Sequence, residues 1–381
     1  MRILVINSTV DLYGANRVLY CALSAFPETA RVEILLPQLT GPLIDLLQKD
    51  FPEIILRKND SIPIVQRKLF SVKGFGMLFN QMATFYSFLK NENTAEKIDL
   101  LYVNTLSNFF VLPIAKILKI PVLTHVHEIL DHPKLIAVIF SRYSVIFSDH
   151  IIVVSDAVRK GLGRWSRKQD LSKITVIHNG IHDMFDAKYS STKIGKVIIT
   201  LVARIKPEKG IWYFIDALQK LKNPELVAAK IVGGAAPFGE HHIDKLNRDI
   251  KSSKVEIEYV PFTLDVSSYI NGTDILVVPT LIKDSFPTTV LEGMSCGKPV
   301  ISSNTGGAVE AIEDNVSGML IGPDDVAEFT NKIELLVSDP NLRIRIGNSA
   351  RQSYLNNYTI DIYTKNLSTY LSNLPSLNLK S

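Results

Sequence analysis

The feature that most limits the fold is a regular alternation of short apolar runs with helical stretches. The first half contains ILVIN, VEILLP, EIILR, IDLLYVN, PVLTHV, HIIVVS and KITVIHNGI, and the second contains KVIITLVARI, AAKIVGG, VEIEYV, DILVVPT, KPVISS and SGMLIG. Most of these runs are continuously apolar, which is typical of strands buried on both faces of a parallel sheet. The sequence therefore predicts an α/β fold with two parallel sheets, each covered by helices.

A polar stretch divides the two series. Asp183 to Lys196 is rich in small and polar residues and is typical of an interdomain linker. A chain of 381 residues is long enough for two domains. We expect a Rossmann-like N-terminal domain at residues 1–185 and a Rossmann-like C-terminal domain at 186–360. Ligands of such sheets bind in crevices at the carboxyl ends of the strands.

Composition excludes several classes of protein. Hydrophobic residues make up 46% of the chain and charged residues 21%, as in a globular protein, and the net charge is only +4. No apolar run could span a bilayer. Met1 leads directly into a strand, so we expect no signal peptide and a cytoplasmic protein. Cys21 and Cys296 form no disulfide or metal pattern. We expect no nucleic-acid partner, and a dinucleotide fingerprint and a Walker motif are absent.

The stretch from Lys283 to Glu310 carries the strongest motif. Phe286-Pro287 cannot lie in the middle of a helix. Pro287 is well placed at a helix's first position, and we expect a short helix over residues 288–295. Asp284 then lies in the preceding loop and Glu292 inside the helix. Such a pair can hold one polar ligand at two points, or the two carboxylates can simply be solvated at a βα turn.

This stretch reads acid-x-F-P-x4-E-x4-G-x-P-V, followed by G-G-x-x-E, and it resembles the donor-sugar motif of the retaining glycosyltransferases of family 4. That family has the two-domain GT-B fold, with domains facing across a cleft. The resemblance implies that Glu292 binds the nucleotide ribose and that Asp284 touches the donor sugar. It also implies donor contacts from the backbone around Phe286 and Pro287. The family usually has Glu-Gly where this chain has Asp284-Ser285, which bears on the identity of the sugar.

A basic loop follows the strand KVIITLVARI. Arg204 and Lys209 are five residues apart just before a helix, and together they can bind an anion or form a solvated basic turn. The arrangement is similar to the diphosphate clamp of family 4, which implies that both hold the leaving nucleoside diphosphate. No DxD motif stands nearby, so we expect no metal or other cofactor. Gly233 resembles a family turn that faces the nucleotide, although a plain βα turn explains it nearly as well.

The strand PVLTHV ends in His125-Val126-His127-Glu128. His127-Glu128 is similar to the family's His-Asp pair, which implies a catalytic contact between His127 and the transferring sugar, with Glu128 orienting or charging the ring. We expect His125 to be structural. Gly14 lies where the family has Gly-Gly-x-x-Arg, which implies close approach of the donor. Tyr13 replaces the first glycine.

Residues 57–90 form a basic, aromatic stretch. They contain six Lys or Arg residues and six Phe or Tyr residues, namely Arg57, Lys58, Arg67, Lys68, Lys73 and Lys90, and Phe70, Phe75, Phe79, Phe85, Tyr86 and Phe88. Such a stretch can lie on an anionic membrane surface, on the inner face of the plasma membrane. It can equally be a helix packed on its sheet.

Taken with the resemblance, these features predict a metal-independent, retaining glycosyltransferase. Its donor is expected to be a UDP- or GDP-sugar, and its acceptor a hydroxyl of a glycan or polyprenol-linked lipid in the synthesis of surface polysaccharides such as lipopolysaccharide. The resemblance also implies that the last segment, residues 361–381, packs back on the N-terminal domain. The alternative is a catalytically weak nucleotide-sugar binder that assists another transferase. A bilobed solute-binding protein would need export.

Overall fold

The computed structural model describes residues 1–12, 14–65, 72–131, 133–189, 195–235 and 239–375, without the side chains of 72, 73, 75, 168–170 and 189. The chain divides into two compact units. The first comprises Met1–Asn179 and Asp361–Ser381, and the second is Gly180–Ile360. Each unit contains one parallel sheet, so the predicted α/β class is confirmed. The predicted linker includes residues 190–194, outside the described residues, and the predicted domain boundaries stay predictions.

The first unit is built on a seven-stranded sheet with the order β3-β2-β1-β4-β5-β6-β7. Its strands are β1 (Arg2–Ile6), β2 (Arg31–Leu36), β3 (Ile55–Lys58), β4 (Leu100–Asn104), β5 (Val122–Val126), β6 (His150–Val153) and β7 (Ile174–Val176). Strands β1, β4 and β5 are buried along their whole length. The order of the strands reverses between β1 and β4, which makes this the switch point where loops diverge and leave a crevice.

Helices cover this sheet. They are α1 (Gly14–Leu23), α2 (Pro42–Asp50), α3 (Val72–Ala95), α4 (Val111–Ile117), α5 (Lys134–Phe147) and α6 (Asp156–Gly163). Helix α3 packs through Phe85 and Leu89, which are fully buried in one hydrophobic cluster with residues of β1, β4 and α4. Burying each such side chain stabilises the fold by about 1.5 to 3 kcal/mol.

The second unit is built on a six-stranded sheet with the order β10-β9-β8-β11-β12-β13. Its strands are β8 (Val197–Val202), β9 (Val227–Val232), β10 (Glu256–Val260), β11 (Ile275–Val278), β12 (Val300–Ser303) and β13 (Met319–Ile321). Here the order reverses between β8 and β11, so the loops that follow these two strands border the switch point of this sheet.

The remaining helices are α7 (Ile211–Gln219), α8 (Glu240–Lys251), α9 (Val266–Asn271), α10 (Thr288–Ser295), α11 (Ala308–Ala311), α12 (Val326–Ser338), α13 (Pro340–Asn357) and α14 (Ile360–Ser372). Nearly all of α14 belongs to the first unit. There it buries Tyr363, Leu367 and Leu371, and the Tyr370 hydroxyl hydrogen-bonds to Thr175. Its apolar face therefore contributes to the core of the first unit.

The basic, aromatic stretch is divided between the core and the surface. Arg57 donates to Glu33 at 2.8 Å and to Glu92 at 2.6 Å, and its guanidinium lies over the ring of Phe88. These contacts, with the burial of Phe85, match the packed-helix interpretation for this part. Phe79 is 77% exposed. The predicted surface residues Arg67, Lys68 and Phe70 lie outside the described residues, as do the side chains of Lys73 and Phe75.

Among the helices of the described ranges, none combines the length and the apolar character that crossing a bilayer requires.

Candidate functional site

Two of the predicted site residues meet at the switch point of the second unit. Lys209 follows β8 and Asp284 follows β11, and Lys209 Nζ lies 2.7 Å from Asp284 Oδ2. The two side chains are only 27% and 22% exposed. Partial burial strengthens the attraction relative to a fully solvated pair. The fold thus brings an acid and a cation from separate motifs into one ion pair, with Arg204 half-buried earlier in the same loop as Lys209.

Backbone contacts hold these two loops together. The carbonyl of Glu208 accepts hydrogen bonds from Leu281 N at 2.9 Å and from Thr280 Oγ1 at 3.1 Å. Gly210, the N-cap of α7, has a φ of 74°, and a Cβ there would lie 1.8 Å from the carbonyl oxygen of Pro279. The loop that carries Lys209 is therefore pressed against the end of β11, which fixes the ammonium beside the loop of Asp284.

The Gly-Gly pair of the second motif is explained by close backbone packing. A Cβ on Gly306 would lie 2.0 Å from the carbonyl oxygen of Asp284, and a Cβ on Gly307 would lie 2.1 Å from that of Ser285. Gly307 N also donates to the Asp284 carbonyl at 2.8 Å. Only glycine allows this approach, and Gly306 has a φ of 63°. The pair supports the Asp284 loop from the side of α11.

Helix α10 begins one residue later than Pro287. The helix predicted over residues 288–295 is confirmed, since α10 runs from Thr288 to Ser295. Pro287, predicted at the first helical position, is instead the N-cap, because its ψ of 113° is extended. Phe286 is buried, and its ring packs near Tyr358. Glu292 is 5% exposed inside the helix. The alternative of two solvated carboxylates is therefore wrong, since Glu292 is buried and Asp284 is paired.

The two predicted glycine contacts differ in their surroundings. Gly233 has a φ of 152°, and a Cβ there would lie 1.9 Å from the carbonyl oxygen of Ala203, so packing alone requires glycine. Within the described part of the chain, no atom lies within 4 Å of a Cβ built on Gly14, which begins α1. Packing gives no reason for glycine at position 14. Both donor contacts stay predictions, and Tyr13 lies outside the described residues.

In the first unit, His127 lies just beyond β5 and joins a buried amide. His127 Nε2 is 3.0 Å from Asn104 Oδ1, and Asn104 Nδ2 donates to Asn7 Oδ1 at 2.8 Å. This last bond spans the switch point between β1 and β4. Burial lowers the pKa of His127 to about 3, so the ring is neutral at neutral pH. The neighbouring His125 is fully buried with its Nδ1 2.5 Å from the Tyr102 hydroxyl, as a structural residue would be.

Glu128 supports the backbone rather than the imidazole. Its carboxylate accepts from the backbone amide of His127 at 3.0 Å and from that of Leu106 at 3.3 Å. The prediction that Glu128 charges the His127 ring is therefore wrong, because the ring is neutral and hydrogen-bonds to Asn104. Burial raises the pKa of Glu128 to about 7, against the opposing effect of its backbone hydrogen bonds.

The backbone is strained at the end of β4. Thr105 has φ of 66° and ψ of 157°, a conformation that is almost confined to glycine. Its amide still donates to the His125 carbonyl at 3.0 Å, so the strain begins where the pairing of β4 with β5 ends. Such strain costs about 1 to 3 kcal/mol and clusters at functional sites. It turns the chain so that the Leu106 amide reaches Glu128.

Two polar residues at this switch point were missed from the sequence. Asn7 and Asn104 are fully buried and link β1 to β4. Asparagine after a strand is usually read as a turn residue. The signal that could have found them is that the runs ILVIN and LLYVN, on the two strands that flank the switch point, both end in asparagine.

Among the described side chains, no group of three or more His, Cys, Asp or Glu residues is arranged to hold a metal ion.

Family models match both halves of the chain. Residues 14–184 match Glycosyltransferase Family 4, and residues 186–353 match the glycosyl transferases group 1. One similar sequence is an N,N'-diacetylbacillosaminyl-diphospho-undecaprenol alpha-1,3-N-acetylgalactosaminyltransferase of Campylobacter jejuni, 28% identical over 160 residues, covering 42% of this chain and 40% of the relative. Another is the capsular polysaccharide biosynthesis glycosyltransferase CapM of Staphylococcus aureus, 22% identical over 241 residues, covering 60% and 63%. The chain thus spans less than two thirds of the length of either relative.

Solved structures extend the likeness to the whole fold. Anabaena HepE in complex with UDP superposes with a TM-score of 0.79 at 22% identity, over 98% of this chain and 100% of that one. The apo form of the lipopolysaccharide outer core galactosyltransferase WaaB has a TM-score of 0.72 at 16% identity, over 98% of this chain and 100% of that one. The two parallel sheets are those of the GT-B fold, as predicted, and the chain belongs to the family 4 glycosyltransferases.

Proposed function

We propose that this protein is a retaining glycosyltransferase that moves a sugar from a UDP- or GDP-sugar to a hydroxyl of a glycan or lipid-linked acceptor. The observation that carries this proposal is the contact of Lys209 with Asp284 at the switch point of the second unit. A cation suited to a diphosphate and an acid suited to a sugar hydroxyl lie side by side there. A nucleotide sugar carries both partners side by side, because its diphosphate is bonded directly to the sugar that bears the hydroxyls.

Each predicted donor contact has a physical task in this proposal. Arg204 and Lys209 bind the diphosphate and stabilise the negative charge that develops when the bond from the sugar to phosphate breaks. Asp284 accepts from the sugar, and the buried carboxylate of Glu292 accepts from the ribose hydroxyls. The backbone at Phe286, Pro287, Gly233 and Gly14 gives the donor close approach. Two fixed cations supply the charge stabilisation that a metal ion would otherwise provide.

The transfer itself is proposed to occur on one face of the sugar. The acceptor oxygen bonds to the anomeric carbon, the bond from that carbon to the diphosphate oxygen breaks, and the acceptor proton passes to the diphosphate. His127, neutral because of its burial, contacts the transferring sugar as a hydrogen-bonding group. Proton NMR of the product tests this step, and an inverted anomeric configuration is the result that contradicts it.

The relatives support the choice of substrates. HepE has been crystallised with UDP and with UDP-glucose, which favours a UDP-sugar donor. The Campylobacter relative is named for a diphospho-undecaprenol acceptor, which favours a polyprenol-linked acceptor here. Both lines of support concern similar proteins, so we propose each substrate class for direct measurement.

Thermal stabilisation by UDP, GDP, ADP and their sugars tests the donor site first. A ligand at 100 times its Kd adds about 2.7 kcal/mol of stability. Arg204→Ala should lose this stabilisation. Lys222→Ala is the control, because Lys222 is a cation of the same unit that pairs with Glu334 in the segment before β9 and is not a predicted donor contact. A turnover assay then separates the enzyme from a weak nucleotide-sugar binder, and stabilisation by none of the nucleotides contradicts the proposal.

A peripheral membrane contact is proposed on the first unit. Helix α5 exposes Leu135, Ile139 and Ile146 along one side, together with the basic residues Lys134 and Arg142. Apolar residues flanked by cations suit an anionic bilayer surface.

Sedimentation with anionic and neutral vesicles tests this contact. The double variant Leu135→Ser, Ile139→Ser should lose binding to anionic vesicles. Leu264→Ser, at an exposed apolar residue of the second unit, should keep it. Equal binding by both variants contradicts the proposed surface.

A further inference from the structure

A continuous chain of buried amides ends at the His127 ring. Asn16 of α1, Asn7 after β1 and Asn104 at the end of β4 are joined in that order by side-chain hydrogen bonds, and Asn104 meets His127. All three asparagines are buried. In so dry a place, each amide that loses its partner destabilises the fold, so the chain holds one arrangement.

The orientations of the first two side-chain amides, those of Asn16 and Asn7, are fixed by their hydrogen-bond partners. Asn16 Nδ2 lies 2.8 Å from the backbone oxygen of Asp11 and 2.8 Å from Thr9 Oγ1. Asn7 Nδ2 lies 2.7 Å from the backbone oxygen of Thr9. A backbone carbonyl only accepts hydrogen bonds, so a nitrogen must occupy both positions. A reversed amide would place two oxygens against each other.

Each amide in turn orients the next, and the last one, Asn104, orients the imidazole of His127. Asn16 Oδ1 accepts from Asn7 Nδ2 at 3.0 Å, and Asn7 Oδ1 accepts from Asn104 Nδ2 at 2.8 Å. Asn104 then presents its oxygen to His127 Nε2 at 3.0 Å. Because an amide oxygen cannot donate, Nε2 must carry the hydrogen. In a neutral ring the other nitrogen, Nδ1, then holds a lone pair.

We infer that Asn7, Asn16 and Asn104 are positioning residues that hold His127 in the tautomer with hydrogen on Nε2, so that Nδ1 accepts a hydrogen bond from a substrate hydroxyl. The role of that hydroxyl rests on the proposed glycosyl transfer. The tautomer assignment is independent of that proposal, because it follows from hydrogen bonds within the protein.

Nitrogen NMR of the protein labelled with ¹⁵N-histidine measures the tautomer directly. His127→Gln identifies the signals of His127 among those of the eight histidines. At neutral pH the wild type should show a protonated Nε2 and an unprotonated Nδ1. A ring protonated on Nδ1, or on both nitrogens, overturns the inference whether or not the protein has any activity.

Variants separate positioning from general stability. Asn7→Ala removes the acceptor of Asn104 Nδ2, so the Asn104 amide can turn and the Nδ1–H tautomer should become populated. Asn108→Ala is the matched control, because Asn108 is also buried and donates to the Asn104 backbone, but lies outside the chain. If Asn7→Ala does not fold, Asn16→Ala removes the anchor one step farther away. An equal tautomer shift in Asn108→Ala overturns the inference.

Activity gives an independent measure. Turnover should fall in proportion to the fraction of His127 with hydrogen on Nε2, about twofold when the two tautomers are equally populated. Folded variants whose turnover falls without a change of tautomer contradict the positioning role. A wild type with the expected tautomer and no turnover overturns the proposed transfer and leaves the tautomer assignment standing.

Discussion

Lys209 donates to Asp284 across the switch point of the second sheet, at 2.7 Å between Nζ and Oδ2. In the proposed function the ammonium also serves the donor diphosphate and the carboxylate also serves the donor sugar. Without ligand, each group already has a partner. A nucleotide sugar can offer both groups a replacement at once, whereas a nucleoside diphosphate can replace only the partner of Lys209.

Asp284→Asn should therefore change the binding of UDP and the transfer of sugar in opposite directions. The free Lys209 should bind UDP more tightly, by up to about fivefold, since a partly exposed ion pair is worth roughly 1 kcal/mol. Turnover of the nucleotide sugar should fall at least about tenfold, because a charged acceptor of sugar hydroxyls is lost. Calorimetry with UDP and a turnover assay measure the two effects.

Glu334→Gln is the control for this experiment. It breaks the Lys222–Glu334 ion pair of the same unit and should leave both quantities unchanged. Weaker binding of UDP to Asp284→Asn is the outcome at odds with competition for Lys209.

Stability should depend on pH through Glu128. Burial raises its pKa in the folded protein to about 7, above the usual value near 4.5. Between these values the folded state holds more protons than the unfolded state, so the contribution of Glu128 to stability is lost as pH rises from about 4.5 to 7. Relative to wild type, Glu128→Gln should gain up to roughly 3 kcal/mol over this range. Urea unfolding at several pH values measures the difference.

His127 changes the stability of the fold with pH in the opposite direction to Glu128. Burial lowers its pKa to about 3, so its contribution to stability is lost as pH falls from about 6.5 toward 3. His127→Gln should therefore gain on wild type toward acid pH. Glu313→Gln, at an exposed carboxylate of the second unit, should leave the profile unchanged. Parallel profiles for the Glu128 and His127 variants would show that neither group titrates as stated.

Gly306→Ala should destabilise the second unit and weaken the donor site. The new Cβ would lie 2.0 Å from the carbonyl oxygen of Asp284 at a φ of 63°, which we expect to cost roughly 1 to 3 kcal/mol. Because the collision is with the backbone of Asp284, binding of the nucleotide sugar should also weaken. Thermal melting with and without ligand measures both. Gly195→Ala, where no atom of the described residues lies within 4 Å of the new Cβ, should change neither.

Turnover should be unchanged in excess EDTA. Arg204 and Lys209 are proposed to carry the charge of the leaving diphosphate, so no divalent ion is needed for that step. The rate is measured in EDTA and again after addition of Mg²⁺ or Mn²⁺. Loss of turnover in EDTA, restored by either metal, would contradict metal independence.

Much of the fold could be predicted because its strands are buried on both faces. A run such as IDLLYVN has no polar alternation, which fixes its place inside a parallel sheet before any partner is known. The bounds of α10 were predicted correctly, but Pro287 was expected as the first helical residue and is the N-cap. Proline fits both the first helical position and the residue before it, and the choice depends on ψ, which packing decides.

The sequence located the donor loops but not their contacts. Lys209 and Asp284 are 75 residues apart, and only the strand order places β8 beside β11. The same is true of Asn7 and Asn104, whose pairing requires β1 beside β4. A local sequence pattern does not show which strands are neighbours in the sheet. The task of Glu128 was mistaken for a similar reason, since its partners are set by the strained turn at Thr105.

The amide chain also connects the start of α1 to the His127 ring through a continuous path of hydrogen bonds. Three hydrogen bonds separate Asn16 from the ring, and Asn16 lies two residues after Gly14, where α1 begins. A donor that displaces this helix end on arrival would pull on the anchor that decides which ring nitrogen carries the hydrogen. Binding at the start of α1 would then change the basicity of the His127 ring through these hydrogen bonds.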